Sequence, residues 1–296
     1  MQKRSWKLLD ILNETSGFFA SREIENPRLQ AELLLADVLE VRRLDLYLQF
    51  ERLLTPEEVD GYREHVKKRV QRVPLQYITG EAGFRELTLV VREEVLIPRP
   101  ETEILVEIAL EFLSSREEPL VLDLGCGSGA IALALASEHA TARLVGIDLS
   151  AEALAVAREN AERSEMTERV EMLCGDLFAP LRERAEQERF DAIVSNPPYV
   201  RSGDIAELEA EVREYEPHLA LDGGEDGLDC YRRIAREAGE FLEPEGCLFL
   251  EVGDGQAEAV SGLLAAEGCF ENIETRSDLN DVPRVVTARF SATRRK

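Results

Sequence analysis

The stretch Val121-Leu122-Asp123-Leu124-Gly125-Cys126-Gly127-Ser128-Gly129, followed by the apolar run 130–136, decides the fold. A short apolar strand, a glycine turn and a helix come in the order that brings backbone N–H groups and a helix N-terminus against a bound ligand. Glycine lets the backbone approach closely and take positive φ. The G-x-G-x-G spacing is weakly compatible with a dinucleotide but departs from G-x-G-x-x-G. Two further apolar runs downstream end in acids. Leu144-Val145-Gly146-Ile147 ends at Asp148, about 20 residues on, where a carboxylate can take a ribose diol. The run 170–175 ends at Asp176, placed to meet an adenine edge, with Leu177 beside it. Three such strand ends in succession describe a nucleoside pocket at the carboxyl edge of a parallel sheet.

Outward from there, strands fall near 120–124, 143–148, 169–174, 190–195 and 246–252, with helices between them. Ser150 caps the helix Ala151–Arg163, and a helix over 231–241 leads to the fifth strand. This alternation implies right-handed βαβ units, hence an α/β fold on a parallel sheet. The segments 270–276 and 284–290 read as two further strands closing it.

The fourth strand runs through Ala192-Ile193-Val194-Ser195 into Asn196-Pro197-Pro198-Tyr199. Proline lacks the ladder N–H and fixes φ, so the strand stops there. The second proline biases Pro197 toward an extended conformation, which makes the exit a stiff loop. The Asn196 side-chain oxygen and the Pro197 carbonyl are both acceptors and together suit the two N–H bonds of one planar –NH2 group. Tyr199 offers an aromatic face to a flat substrate or a cation. Taken alone, a Pro-Pro loop is more often a rigid strand-end turn; the nucleoside pocket upstream gives it a second meaning.

Glycine loop, ribose acid and Asn-Pro-Pro-Tyr together resemble the class I S-adenosylmethionine-dependent amino-methyltransferases. Pro74-Leu75-Gln76-Tyr77-Ile78-Thr79-Gly80, Phe84 and Leu96-Ile97-Pro98-Arg99-Pro100-Glu101-Thr102-Glu103 narrow the likeness to the release factor glutamine N5-methyltransferase family (PrmC/HemK). It covers nearly the whole chain. Asn-Pro-Pro-Tyr is shared with DNA and RNA amino-methyltransferases, whereas the Ile-Pro-Arg-Pro-Glu-Thr-Glu segment is the more specific sign. The resemblance implies a seven-stranded class I methyltransferase (Rossmann-like) domain whose last two strands form an antiparallel pair. It implies S-adenosylmethionine held by Gly125, Cys126, Gly127, Ser128, Gly129, Asp148, Asp176, Leu177 and Asn196. It also implies Asn196, Pro197 and Tyr199 at the reacting amide, with Pro198, Arg99, Thr102 and Glu103 on the substrate side. The expected product is S-adenosylhomocysteine, and the expected substrate is the glutamine of the Gly-Gly-Gln loop in peptide chain release factors. Methylation of an exocyclic amine in DNA or RNA is the alternative.

Residues 1–72 read as a small all-α helical bundle. Asn26-Pro27 opens a helix as N-cap and first-turn proline, with Leu29, Leu33, Leu34 and Val38 on one face. Thr55-Pro56-Glu57-Glu58 is a capping box that starts a helix to about Gln71. No chemistry is legible in this segment, which is expected to recognise the substrate. Pro74 ends the bundle, and 73–98 reads as a β-hairpin linker with Leu87, Leu89 and Val91 alternating. The methyltransferase domain takes 99–296, with a helix starting at Pro100-Glu101. The acidic, glycine-rich stretch 201–229 is either a substrate-side insertion or a solvated loop.

The net charge of −24 is uneven: residues 1–72 hold 13 basic and 13 acidic side chains, so the whole excess lies in 73–296. Nucleic-acid enzymes usually present a basic face, because phosphate neutralisation dominates their affinity. Composition shows none here, which favours a protein substrate over DNA or RNA; an acidic surface also serves solubility. Five cysteines without a C-x-x-C pair suggest reduced core residues of a cytoplasmic protein. With three histidines, none near a cysteine pair, no metal site is expected. No apolar run approaches the ~20 residues of a membrane helix, and the N-terminus lacks a signal-peptide pattern.

Overall fold

The computed structural model describes residues 5–184, 188–278 and 280–292. Two compact units emerge: 1–80 with Glu209–Tyr215, and Glu81–Leu208 with 216–296.

The first unit holds α1 (Leu8–Ser21), α2 (Pro27–Val38), α3 (Arg43–Tyr47), α4 (Pro56–Val70) and α5 (Leu75–Thr79). Its core gathers Trp6, Leu8, Leu12, Phe19, Leu34 and Tyr62, all buried. The capping box at Thr55 forms, with Glu58 N–H donating to Thr55 Oγ1 at 3.2 Å and Thr55 N–H to Glu58 Oε2 at 2.8 Å. Asn26 caps nothing: it sits in the left-handed region at φ 45° and its side chain makes no cap bond. Nor does α2 bury the expected face. Leu29 is 40% exposed and Leu33 half-buried, while Ala31, Glu32, Leu34 and Leu35 point inward. Two polar ties select that face. Tyr62 OH donates to the Ala31 carbonyl at 3.1 Å, and the buried Glu32 accepts from Arg28, Arg43 and Tyr47.

The helical unit runs past residue 72 because α5 seats Ile78 in the same core, with Leu75 against it. α5 is too short to show a helical period. Gly80, at φ 76°, ends it.

The second unit opens with a hairpin, β1 (Glu81–Phe84) and β2 (Leu87–Val90), shorter than the 73–98 span. There follow α6 (Thr102–Leu113), β3 (Leu120–Leu124), α7 (Ala130–Glu138), β4 (Arg143–Asp148), α8 (Ala151–Arg163), β5 (Val170–Cys174), α9 (Ala179–Arg182) and β6 (Phe190–Ser195). After α10 (Ala210–Tyr215), which belongs to the first unit, come α11 (His218–Leu221), α12 (Asp229–Ala238), β7 (Leu242–Glu251), α13 (Ala257–Glu267), β8 (Phe270–Ser277) and β9 (Pro283–Phe290). The stretch 201–229 is thus structured: it carries a 3-10 turn at Ile205–Glu207 as well as α10 and α11.

The sheet has seven strands in the order β5-β4-β3-β6-β7-β9-β8, parallel except for β9, which runs against both of its neighbours. Strand residues alternate between two cores, as a pleated strand buried on both faces must. Val121, Ala192 and Val194 face α6, α7 and α8, whereas Leu122, Ile193 and Leu248 face α12 and α13. Among the described residues no helix is long and apolar enough to cross a membrane, and no group of three metal-ligating side chains gathers.

Candidate active site

The chain leaves β3 toward β4 on one side and returns through β6 on the other, and ligands bind at such reversals in open α/β sheets. Leu124 pairs with Ser195, whose hydroxyl donates to the Leu124 carbonyl at 2.7 Å. The glycine turn and Asn196 therefore start side by side.

Gly125 and Gly127 take φ of 72° and 54°. A Cβ on either would meet no atom within 4 Å, so both present bare backbone to open space. Gly129 differs: a Cβ there would lie 3.2 Å from Met172 Cε and 3.3 Å from Leu133 Cδ1, so that glycine serves packing. Cys126 and Ser128 are buried, and Cys126 Sγ lies 3.9 Å from Met172 Sδ; these two can offer a ligand only their main chain.

Asp148 holds the loop. Its Oδ2 accepts Gly127 N–H at 2.8 Å and its Oδ1 accepts Ser150 N–H at 2.9 Å. Each oxygen retains a lone pair for a further donor. Asp176 is exposed and paired with Arg233 at 2.8 Å, and Leu177 adopts a left-handed φ of 48°, a conformation uncommon outside glycine. Gly125, Gly127, Asp148, Asp176 and Leu177 line a cavity of about 530 Å3, together with Asn196 and Pro198. That size suits a small-molecule ligand. Apolar Ile147, Leu149 and Leu177, the free lone pairs of Asp148 and the bare glycine backbone fit an adenosyl group: a flat base, a diol and a polar tail.

Beneath the loop, Asp123 is fully buried. It accepts Ala132 N–H at 3.1 Å through Oδ2, while Oδ1 has no partner among the described residues. Burial pushes its carboxyl up to about 7, against the opposing pull of the Ala132 N–H.

Asn196 is half-buried, and its amide Nδ2 donates to Thr102 Oγ1 at 3.1 Å. Neither Asn196 Oδ1 nor the Pro197 carbonyl accepts a hydrogen bond among the described residues. Thr102 is 4% exposed, and its side chain neighbours that of Glu251, itself 2% exposed. Pro197 is buried and Tyr199 half-buried, its phenol pushed up by burial. The other two residues expected on the substrate side are engaged elsewhere. Arg99 Nη2 lies 2.8 and 2.6 Å from the two oxygens of Glu216. Glu103 Oε1 accepts Arg85 N–H at 2.9 Å, which ties α6 to the hairpin turn.

The segment 222–227 braces the Asn-Pro-Pro-Tyr loop. A Cβ at Gly223 would lie 2.7 Å from the Pro198 carbonyl oxygen, and one at Gly227 would lie 2.4 Å from that of Tyr199. Val200 bridges Asp222 in parallel, and Gln256 Nε2 donates to the Tyr199 carbonyl at 3.0 Å. Asn160, buried in α8, exchanges bonds with the Val90 N–H and carbonyl and donates to the Ser128 carbonyl, joining hairpin and glycine loop. Gln256, Asn160, Glu216 and Glu251 carry no local motif. Only their distant partners disclose their roles.

Residues 10–80 match a domain family described as the PrmC N-terminal domain, and residues 101–215 match the methyltransferase small domain. A release factor glutamine methyltransferase of Geobacter sulfurreducens is 46% identical over 285 residues, covering 96% of this chain and 97% of that protein. A release factor glutamine methyltransferase of Chlorobaculum tepidum is 42% identical over 289 residues, again covering 96% and 97%. A 16S rRNA N2 methyltransferase of T. thermophilus, solved with AdoMet and guanosine, matches with a TM-score of 0.51 at 22% identity. That match covers 71% of this chain and 49% of the other, and it is a likeness of fold.

Proposed function

This chain belongs to the release factor glutamine methyltransferases, and from that membership we propose that it methylates the side-chain amide nitrogen (N5) of a glutamine in peptide chain release factors, the one in their Gly-Gly-Gln loop. Bound in the cavity, S-adenosylmethionine supplies a methyl group on a sulfonium and becomes S-adenosylhomocysteine. Gly125 and Gly127 offer main-chain groups to its polar tail, Asp148 the ribose acceptor, and Leu177 and Asp176 the wall beside the base.

A glutamine nitrogen is a poor nucleophile because its lone pair is delocalised into the carbonyl. Two acceptors gripping both N–H bonds turn that lone pair toward the methyl group, and they bind more strongly as nitrogen gains positive charge. As the N–CH3 bond forms and the S–CH3 bond breaks, one of those N–H protons becomes acidic and passes to water. Asn196 Oδ1 and the Pro197 carbonyl are those acceptors. Such positioning supplies up to roughly 7–11 kcal/mol in the best intramolecular cases. The observation carrying the reading is that Asn196 donates its amide to Thr102, which leaves its oxygen as an acceptor beside the glycine loop. Tyr199 and Pro198 flank the substrate amide.

The helical unit recognises the body of the release factor. A single loop entering a pocket gives little of a standard ~1,600 Å2 interface, so contact must extend elsewhere. Leu44, Tyr47, Leu48 and Leu53 lie exposed around α3 and offer apolar surface for it. No direct nucleic-acid contact is needed, in keeping with the acidic balance of 73–296. Five free cysteines, three of them buried, fit the reducing cytoplasm where translation terminates.

The test is methyl transfer from labelled S-adenosylmethionine to purified release factor and to oligonucleotides in parallel, with wild type and Asn196→Ala. Wild type should label the factor. Asn196→Ala should lose about 10²-fold in kcat, as when one oxyanion-hole group is removed, and far less in cofactor affinity. Label on oligonucleotides alone would refute the protein substrate, and full turnover by Asn196→Ala would refute the amide grip.

A further inference from the structure

Glu251 ends β7 with its side chain 2% exposed, and its Oε2 has no partner among the described residues. A buried carboxylate so placed demands a reason, since burying a charge without full pairing is unfavourable. Its neighbour is Thr102 at the start of α6, and the next group along is the Asn196 amide at 3.1 Å from Thr102. An amide's two ends are alike in shape and opposite in polarity, and a hydroxyl both donates and accepts. Thr102 alone therefore cannot dictate which end of Asn196 it meets. An ionised carboxylate only accepts. It draws the Thr102 proton to itself, leaves Oγ1 as an acceptor, and so obliges Asn196 to present its NH2 to Thr102 and its oxygen to the substrate.

We propose that Glu251, acting through Thr102, is the positioning residue that sets the polarity of the Asn196 amide toward the substrate nitrogen. This rests on the reading of Asn196 Oδ1 as an acceptor for the substrate –NH2. The chain Glu251–Thr102–Asn196 also polarises the amide cooperatively, making Oδ1 a stronger acceptor as the substrate N–H grows acidic. Protonated Glu251 becomes a donor. Thr102 Oγ1 then accepts from it, the Thr102 proton turns to Asn196, and the amide swings its NH2 into the site, where it repels the –NH2 of the substrate amide.

Several charged and titratable groups surround Glu251. Arg99 and Glu101 face it from the turn before α6, Tyr199 from the exit of β6, Arg284 from β9, and Tyr231 of α12 bonds its main-chain carbonyl at 2.8 Å. Arg99 and Arg284 are already paired, with Glu216 and Asp278. Burial pushes the Glu251 carboxyl up to about 7, with Thr102 pulling down and Glu101 pushing further up. The reversal thus falls within the working range of a cytoplasmic enzyme.

The experiment measures kcat and KM for whole release factor, and cofactor affinity by calorimetry, in Thr102→Val, Thr102→Ser, Glu251→Gln and Asn196→Ala. Thr102→Val should lose at least about tenfold in kcat, with KM and cofactor affinity within about threefold, and Thr102→Ser should recover most of it. Wild-type kcat should fall about tenfold from pH 8 to pH 6, as one essential base titrates near 7, and Glu251→Gln should be flat over that span at a reduced level. Asp123 also titrates near 7, but it remains in both proteins, so only a limb that vanishes with Glu251→Gln belongs to this chain of groups. Wild-type kcat in Thr102→Val, or an unchanged acid limb in Glu251→Gln, overturns the inference. If Asn196→Ala is inactive while those variants behave as wild type, the inference alone fails. If Asn196→Ala is fully active, the acceptor reading beneath it fails first.

Discussion

Replacing Asp148 by alanine probes the cofactor side of the site with two readouts. Its carboxylate makes two bonds to backbone N–H groups, at 2.8 Å to Gly127 and 2.9 Å to Ser150. Hydrogen bonds to a charged partner contribute about 1.5–3 kcal/mol each, but Asp148 is half-exposed, so water recovers part of that loss. Thermal stability without ligand should drop by about 1 kcal/mol, or roughly 2–4 °C for a protein of this size. Cofactor binding loses more. The ribose bonds to a charged acceptor disappear, about 1.5–3 kcal/mol, and Gly127 must be ordered on binding instead of beforehand, about 1 kcal/mol more. The sum is a loss of roughly 10²–10³-fold in affinity. Calorimetric titration with S-adenosylmethionine, beside thermal melts of the same preparations, reads both numbers. Asp148→Asn keeps one acceptor oxygen and should fall between wild type and alanine. A dissociation constant within about threefold of wild type in Asp148→Ala, with the melting shift present, would mean that Asp148 braces the loop and never touches the ligand.

Two further outcomes follow from burial. Leu48 is 85% exposed, so Leu48→Glu should leave the melting temperature unchanged; it should raise KM for whole release factor about tenfold, as for an interface anchor, without changing turnover of a short Gly-Gly-Gln peptide. Equal effects on both substrates would exclude docking on that surface. Asp123 is raised from 3.8 to about 7 in the folded protein, so its contribution to stability is complete below pH 4 and disappears as pH rises through 7. Asp123→Asn should therefore stabilise the fold by up to about 4 kcal/mol at pH 8, by less than half of that at pH 5, and by almost nothing below pH 4. Equal melting shifts at every pH would place the effect in packing, not in charge.

What was legible beforehand was what local pattern can encode. β3, its glycine turn and α7 follow from a strand run, positive-φ residues and a helical run in immediate succession. The two prolines stop β6 wherever they stand. The Thr55 capping box closes within four residues. Partners across long separations were out of reach: Thr102 meets Asn196 across 94 positions, Arg99 meets Glu216 across 117, and Asn160 meets Val90 across 70. The acidic stretch 201–229 read either as a substrate-side insertion or as a solvated loop, because its charges dominate its composition; the close approach of Gly223 and Gly227 to Pro198 and Tyr199 has no local signature. Asn26 failed as a cap for a related reason: cap propensity speaks for the side chain, whereas a capping residue needs an extended backbone and Asn26 takes a left-handed one.

The helical unit's recruitment of Glu209–Tyr215 bears on how the chain is made. Arg69, nearly sequestered from water, bonds Gln30 and the Val73 carbonyl nearby, but its remaining arm reaches Glu211, 142 residues further along. Loop-closure entropy grows only slowly with such a span, so the final pairing is thermodynamically cheap. Order of emergence is another matter. A chain that leaves the ribosome N-terminus first can collapse α1 to α5 early, yet it must wait for β3 through β6 to be synthesised before that guanidinium finds its carboxylate. Until then the earliest-made unit stays incomplete, although its last piece still emerges before β7, β8 and β9 complete the sheet. Amide exchange at 209–215 should accordingly follow the helical unit's opening rather than the sheet's.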